Sequence, residues 1–204
     1  MRFPVPAGVR DELVSPPAAA VFADAELDGL PAPARRHLAA VIAPGTALAT
    51  SARLRMRGRI KVGRWLPFTA RQIVAPHRGF VWAARAAGVI TGSDLYVAGR
   101  GEMRWTLLGL VPLVRADSAD HARSAAGRAA GEAVWIPTAL LPRFGVHWSA
   151  SDDRHITAHY RLDSTDLDVH YELDGDGRLR SFVFDRWGIL AGPGHGACTR
   201  SAVR

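Results

Sequence analysis

This chain of 204 residues has a single cysteine, Cys198, and a single lysine, Lys61. A single cysteine excludes an intrachain disulfide framework and a thiolate metal cluster. With one lysine, the formal charge of +7 and the pI of about 10.8 rest on arginine. Those arginines are spread through a chain rich in Ala, Gly and Pro, which reads as compositional bias. No zinc-finger, basic-zipper or RNA-binding signature accompanies them, so no specific nucleic-acid partner is expected. Long apolar runs are also lacking. Residues 18–23 and 106–114 fall well short of the roughly 20 that span a bilayer. Pro4, Pro6, Arg10 and Asp11 interrupt the place where a signal peptide needs an apolar core. These features predict a soluble, cytoplasmic, bacterial protein.

Motifs of cofactor and nucleophile chemistry are absent too. There is no P-loop and no Gly-x-Ser-x-Gly elbow. Asp174, Asp176 and Gly177 resemble a calcium loop only superficially, because a loop begun at Glu172 puts Val183 where a bidentate Glu belongs. The glycines at 192, 194 and 196 follow no βαβ pattern, and Cys198 lacks a structured His partner. No cofactor is expected. His155 and His159 share a strand face at about 13 Å, too far apart for one metal, and His170 approaches them only across a hairpin. No metal site is expected.

What is present is a sheet. From Arg53 to Val62 odd positions are cationic and even ones apolar or glycine, which puts Leu54, Met56, Ile60 and Val62 on one face of a half-buried strand. Residues 49–114 read as an antiparallel meander punctuated by Gly and Pro turns. The Ala-rich stretch 118–135, with Ser118 as cap, predicts a central helix, and residues 30–42 a shorter one. Strands resume at 146–149, 156–162, 167–173 and 179–185, the last two joined by an Asp-Gly turn. On 166–174 an acidic face mirrors the arginine face of the opening strand, and cross-strand pairing is the ordinary explanation of each. The expected organisation is an arm over 1–29, one α+β domain over 30–186, and an irregular or disordered tail over 187–204.

The residues then resemble a family. Leu30-Pro31 with Arg35-Arg36, Trp65, Pro67, Phe68 and Gln72, Gly79-Phe80-x-Trp82, Asp94-x-Tyr96, Gly99-x-Gly101, Glu132-x-x-Trp135-x-Pro137 and Gly145-Val146-x-Trp148 are similar, in that order, to a widespread uncharacterised bacterial family. The resemblance implies a fold like the lipoprotein-carrier (LolA/LolB-like) half-barrel: a strongly curved antiparallel sheet with an N-terminal and a central helix on its concave face. Similar proteins continue with strands beyond the position of Arg186. An irregular tail there implies an open sheet edge and self-association through it.

Two sets of candidate residues follow. Met56, Phe68, Trp82, Tyr96 and Trp135 either fill the core or line a site for a hydrophobic small molecule or lipid between sheet and helical lid. Non-catalytic binding is the leading functional expectation. Glu132 is the weak catalytic candidate, an acid or base assisted by His147 or Asp94, or else a carboxylate paired with an arginine such as Arg85 or Arg104. An interaction module built on the arginine face or an open sheet edge is the third expectation.

Overall fold

The computed structural model describes residues 7–14, 20–189 and 196–203. It is α+β, with two antiparallel sheets sharing one core in place of the single continuous sheet expected. The first sheet is a six-stranded meander in sequential order: β1 (Ala52–Val62), β2 (Arg64–Ala75), β3 (Gly79–Ala86), β4 (Ile90–Val97), β5 (Arg100–Leu107) and β6 (Val111–Ala116). The second contains β7 (His147–Ala150), β8 (His155–Leu162), β9 (Thr165–Leu173), β10 (Leu179–Ile189) and β11 (Gly196–Val203), also in sequential order. The break between the sheets falls at the longest helix, α3 (Ala119–Glu132), which no hairpin turn can span.

Helix α3 lies between the two sheets, packing on β9 and β10 on one side and on β4 and β5 on the other. Its sequence explains how it fits. Ser118 caps it, accepting the His121 backbone N–H at 3.2 Å. Ala126, Ala129, Ala130 and Gly131 are all buried. Gly131 is needed as such, because a Cβ there would enter the Phe184 ring of β10. The Tyr160 hydroxyl donates to the Ala130 carbonyl at 3.3 Å, tying helix to sheet.

Helix α2 (Ala32–Val41), which starts with Pro31 before its first turn, buries Ala34, His37 and Leu38 against the second sheet. His37 meets Trp148 and Tyr171, and its Nδ1 lies 2.8 Å from the Gly177 carbonyl oxygen. Burial lowers its pKa. The expected N-terminal arm is woven into the same core: Phe22 and Leu27 are 1% exposed, and Val21 bridges to Ala47. A shorter helix, α1 (Ala7–Leu13), sits on the outer face of the first sheet, where Leu13 packs on Ala75, Val81, Leu95 and Val97.

The expectation for the tail needs correction. Residues 190–195 lie outside the description, but Gly196–Val203 pairs along β10 from Phe182 to Ile189. The irregular composition hides a strand because a partner's hydrogen-bond ladder can hold a segment of weak intrinsic preference. The sheet edge expected to lie open at β10 is therefore paired.

Candidate functional site

The strand registers sort the inner face of the six-stranded sheet into rows. One runs Leu54, Gln72, Trp82, Asp94, Met103 across β1 to β5, and the next runs Met56, Ala70, Ala84, Gly92, Trp105. Helix α3 crosses the first row. His121, Arg128 and Glu132, spaced seven and four residues apart, lie on one helical face and meet Gln72 and Asp94 there.

Arg128 organises this cluster. Its Nη1 donates to Asp94 Oδ2 at 2.5 Å and its Nε to Glu132 Oε1 at 2.8 Å. Its guanidinium stacks over the rings of Phe80 at 4.5 Å and Trp82 at 5.4 Å. The Gln72 side-chain amide donates to the other Glu132 oxygen. His121 Nε2 stands 3.5 Å from Asp94 Oδ1, within ion-pair reach but without hydrogen-bond geometry. Two buried carboxylates thus face one guanidinium. Burial raises the pKa of Glu132, opposed by Arg128 and by the Gln72 amide. Chemically, the cluster can hold or release a proton, and mechanically it fastens the helix to the sheet.

Below the helix the second row is apolar, with Ala70, Ala84 and Gly92 buried and Met56 and Trp105 only half-buried. Phe68, Trp82 and Trp105 form an aromatic ladder, with centroids 6.3 Å and 5.8 Å apart. Trp105 lies flat across Gly92, where any Cβ would strike its indole. Ala70 and Ala84 make a floor of small side chains between Met56 and Trp105. Met56, Phe68, Trp82 and Trp105 are each half-buried, neither sealed into the core nor fully in water. The result is an apolar shelf bordered on its helix side by the Arg128 cluster.

The predicted residues are thus placed unequally. Glu132 and Asp94 come together through Arg128, whereas His147 stands exposed on edge strand β7 of the other sheet, opposite His159. Its neighbour Trp148 points inward, so strand alternation turns His147 out. Met56, Phe68 and Trp82 share the shelf. Tyr96 does not: it is 2% exposed, and burial with the Asp163 carboxylate beside it pushes its pKa up to about 12. Trp135, in a 3₁₀ turn following α3, is 49% exposed. Glu132 pairs with neither Arg85 nor Arg104, and Arg104 takes Glu102 instead. The sequence signal for Arg128 was its position one helical turn before Glu132, and Gln72 stood only as part of the family pattern; His121 carried none that stood out. The three histidines near β8 are each engaged locally: His155 with Asp152, His159 with Asp168 and Ser149, His170 with Thr157.

The chain matches the Family of unknown function (DUF6544) over residues 20–195. It belongs to that family. The match begins ten residues before the expected Leu30 start and runs past Arg186, so Phe22 and Leu27 on one side and the end of β10 on the other fall within the family's extent. No curated protein and no solved structure matches the chain. No helix among the described residues is long and apolar enough to cross a membrane.

Proposed function

We propose that this protein binds a hydrophobic small molecule or lipid, without catalysis, on the inner face of the six-stranded sheet. The carrying observation is the shelf: three linked aromatic rings and a methionine, half-buried, over a floor of alanine and glycine. Large apolar side chains at such a position normally complete a core, yet here Met56, Phe68 and Trp105 stay half-buried and outside the main core cluster, with Trp82 linking them to it. The proposed ligand set is Met56, Phe68, Trp82 and Trp105; of the residues expected from the sequence, Tyr96 goes to the core and Trp135, exposed after α3, is left out. The resemblance implies a half-barrel-like curvature of the sheet, which would suit such a ligand.

Native mass spectrometry before and after organic extraction tests this. A co-purified apolar mass, or one acquired from a lipid extract, is expected, and its loss in a Phe68→Ala/Trp105→Ala double variant locates it. A bare mass under both conditions would remove the reading. Acid–base chemistry at Glu132 is the second reading, favoured by its raised pKa. The 13% exposure of its side chain and its saturation by Arg128 and Gln72 fit a fastening role better.

A further inference from the structure

Alternate turns of an antiparallel meander lie at one end of the sheet, so the β1–β2, β3–β4 and β5–β6 turns share an end. Large apolar side chains stand in water there: Trp65 is 58% exposed, Val89 41%, Leu108 66%, Leu110 82% and Val111 53%. Turn positions ordinarily take Gly, Asn or Asp. Leu108 instead occupies a left-handed backbone conformation at φ 54°, which a branched apolar residue adopts at a cost. Its N–H donates to the Val89 carbonyl at 2.8 Å, stitching two of the tips into one surface. Neither turn preference nor core burial accounts for leucine at 108 and 110.

Cations surround this end. The β1–β2 pairing continues from Gly58 opposite Phe68 to Val62 opposite Arg64, beyond the level at which β3 ends. This hairpin carries Arg59, Lys61 and Arg64 to and past the other two turns, with Arg57 just behind them on the same strand. No Asp or Glu occurs anywhere between Asp28 and Asp94. Among the described residues no ion pair reaches those four cations, whereas Arg104 and Arg115 of the same sheet pair with Glu102 and Asp117.

We infer that this end of the six-stranded sheet docks on an anionic lipid bilayer, its leucine tips entering the interfacial layer while the arginine hairpin meets headgroup phosphates. An anionic bilayer supplies both complements at once: an apolar layer and, above it, a plane of negative charge. Nucleic acid would satisfy the arginines but leave Leu108 and Leu110 in water. A second copy docked tip to tip would bring the two cationic hairpins together. The inference stands whether or not the shelf holds a ligand.

Flotation with vesicles of phosphatidylcholine alone and of phosphatidylcholine with phosphatidylglycerol tests it. The protein is expected to float with the anionic vesicles only, and less as salt rises. A Leu108→Asp/Leu110→Asp variant should lose about tenfold or more of that binding. Arg57→Glu/Arg59→Glu/Lys61→Glu should abolish it. Every substituted position is exposed or at the sheet edge, and an unchanged melting temperature confirms that each variant folds. Failure to float with anionic vesicles overturns the inference, as does flotation indifferent to the leucine changes. A dimer in sedimentation velocity that the leucine variant dissociates, without vesicle binding, would name a second copy as the occupant and overturn it equally.

Discussion

The two sheets use the same alternation of faces to opposite ends. On the inner face of the second, Trp148, Tyr160, Val169 and Tyr171 are buried under α2 and α3, and on its outer face the charges are matched, Arg161 to Asp166 and His159 to Asp168. In the six-stranded sheet Met56, Phe68, Trp82 and Trp105 of the inner face stay half-buried, and the outer face of β1 carries five cations without an ion-pair partner among the described residues. One sheet buries its large apolar side chains and pairs these charges; the other leaves apolar and electrostatic capacity unused. Unused capacity of both kinds is what a binding surface requires, so the second sheet is read as the scaffold and the first as the functional half.

That contrast makes measurable claims, the largest on the scaffold side. Tyr171→Ala should cost about 3–5 kcal/mol in denaturant unfolding, since a fully buried aromatic leaves a cavity its neighbours cannot fill. Trp105→Ala, on the shelf, should cost less, about 1–2 kcal/mol, because its indole is only partly buried and lies outside the main core cluster. Equal costs would break the comparison. Arg128→Ala should fall at the scaffold end of the scale, about 3–5 kcal/mol, because it leaves the Asp94 and Glu132 carboxylates buried together. If Arg128→Ala proves mild, and Glu132→Gln leaves stability unchanged while altering ligand retention, the cluster belongs to the functional half instead.

The pH dependence sharpens the same division. Burial holds the pKa of His37 below its ordinary 6.5, so the unfolded chain takes up a proton there that the folded one refuses. Its contribution is therefore intact above pH 6.5 and is lost as pH falls through the folded value. His37→Gln should flatten the stability profile in that acidic window and leave the plateau above it in place. The smallest effect is expected at the Tyr171 hydroxyl, which is buried without a hydrogen-bond partner. Tyr171→Phe should be neutral or stabilising by up to about 1 kcal/mol, since it removes a polar group that burial has stripped of water. A loss of more than that would reveal a partner for the hydroxyl, such as a buried water.

Much of the meander was readable because strand alternation is local. Arg53 to Val62 reported its own faces, and the turns at 63–64 and 76–79 marked strand ends. The central helix was readable for the same reason, through its alanines and the Ser118 cap. Strand β11 was not, because its pairing with β10 is a tertiary contact that no local preference announces. Glu132 and Asp94 were each conspicuous as acids, but the residue that joins them lies on the helix and reaches across to a strand 34 positions away.

What the chain determined alone is therefore periodic: which segments are strands, which is the helix, and which face of each is apolar or charged. Backbone geometry converts those patterns into structure without reference to anything distant. Only the tertiary structure decided that the strands divide into two sheets around α3, that Tyr96 fills the core while Trp105 joins the shelf, and that three turns place their apolar tips at one end. Those outcomes depend on register and on what the helix covers. They are contacts between segments far apart in the chain, and alternation within a segment carries no information about its partner.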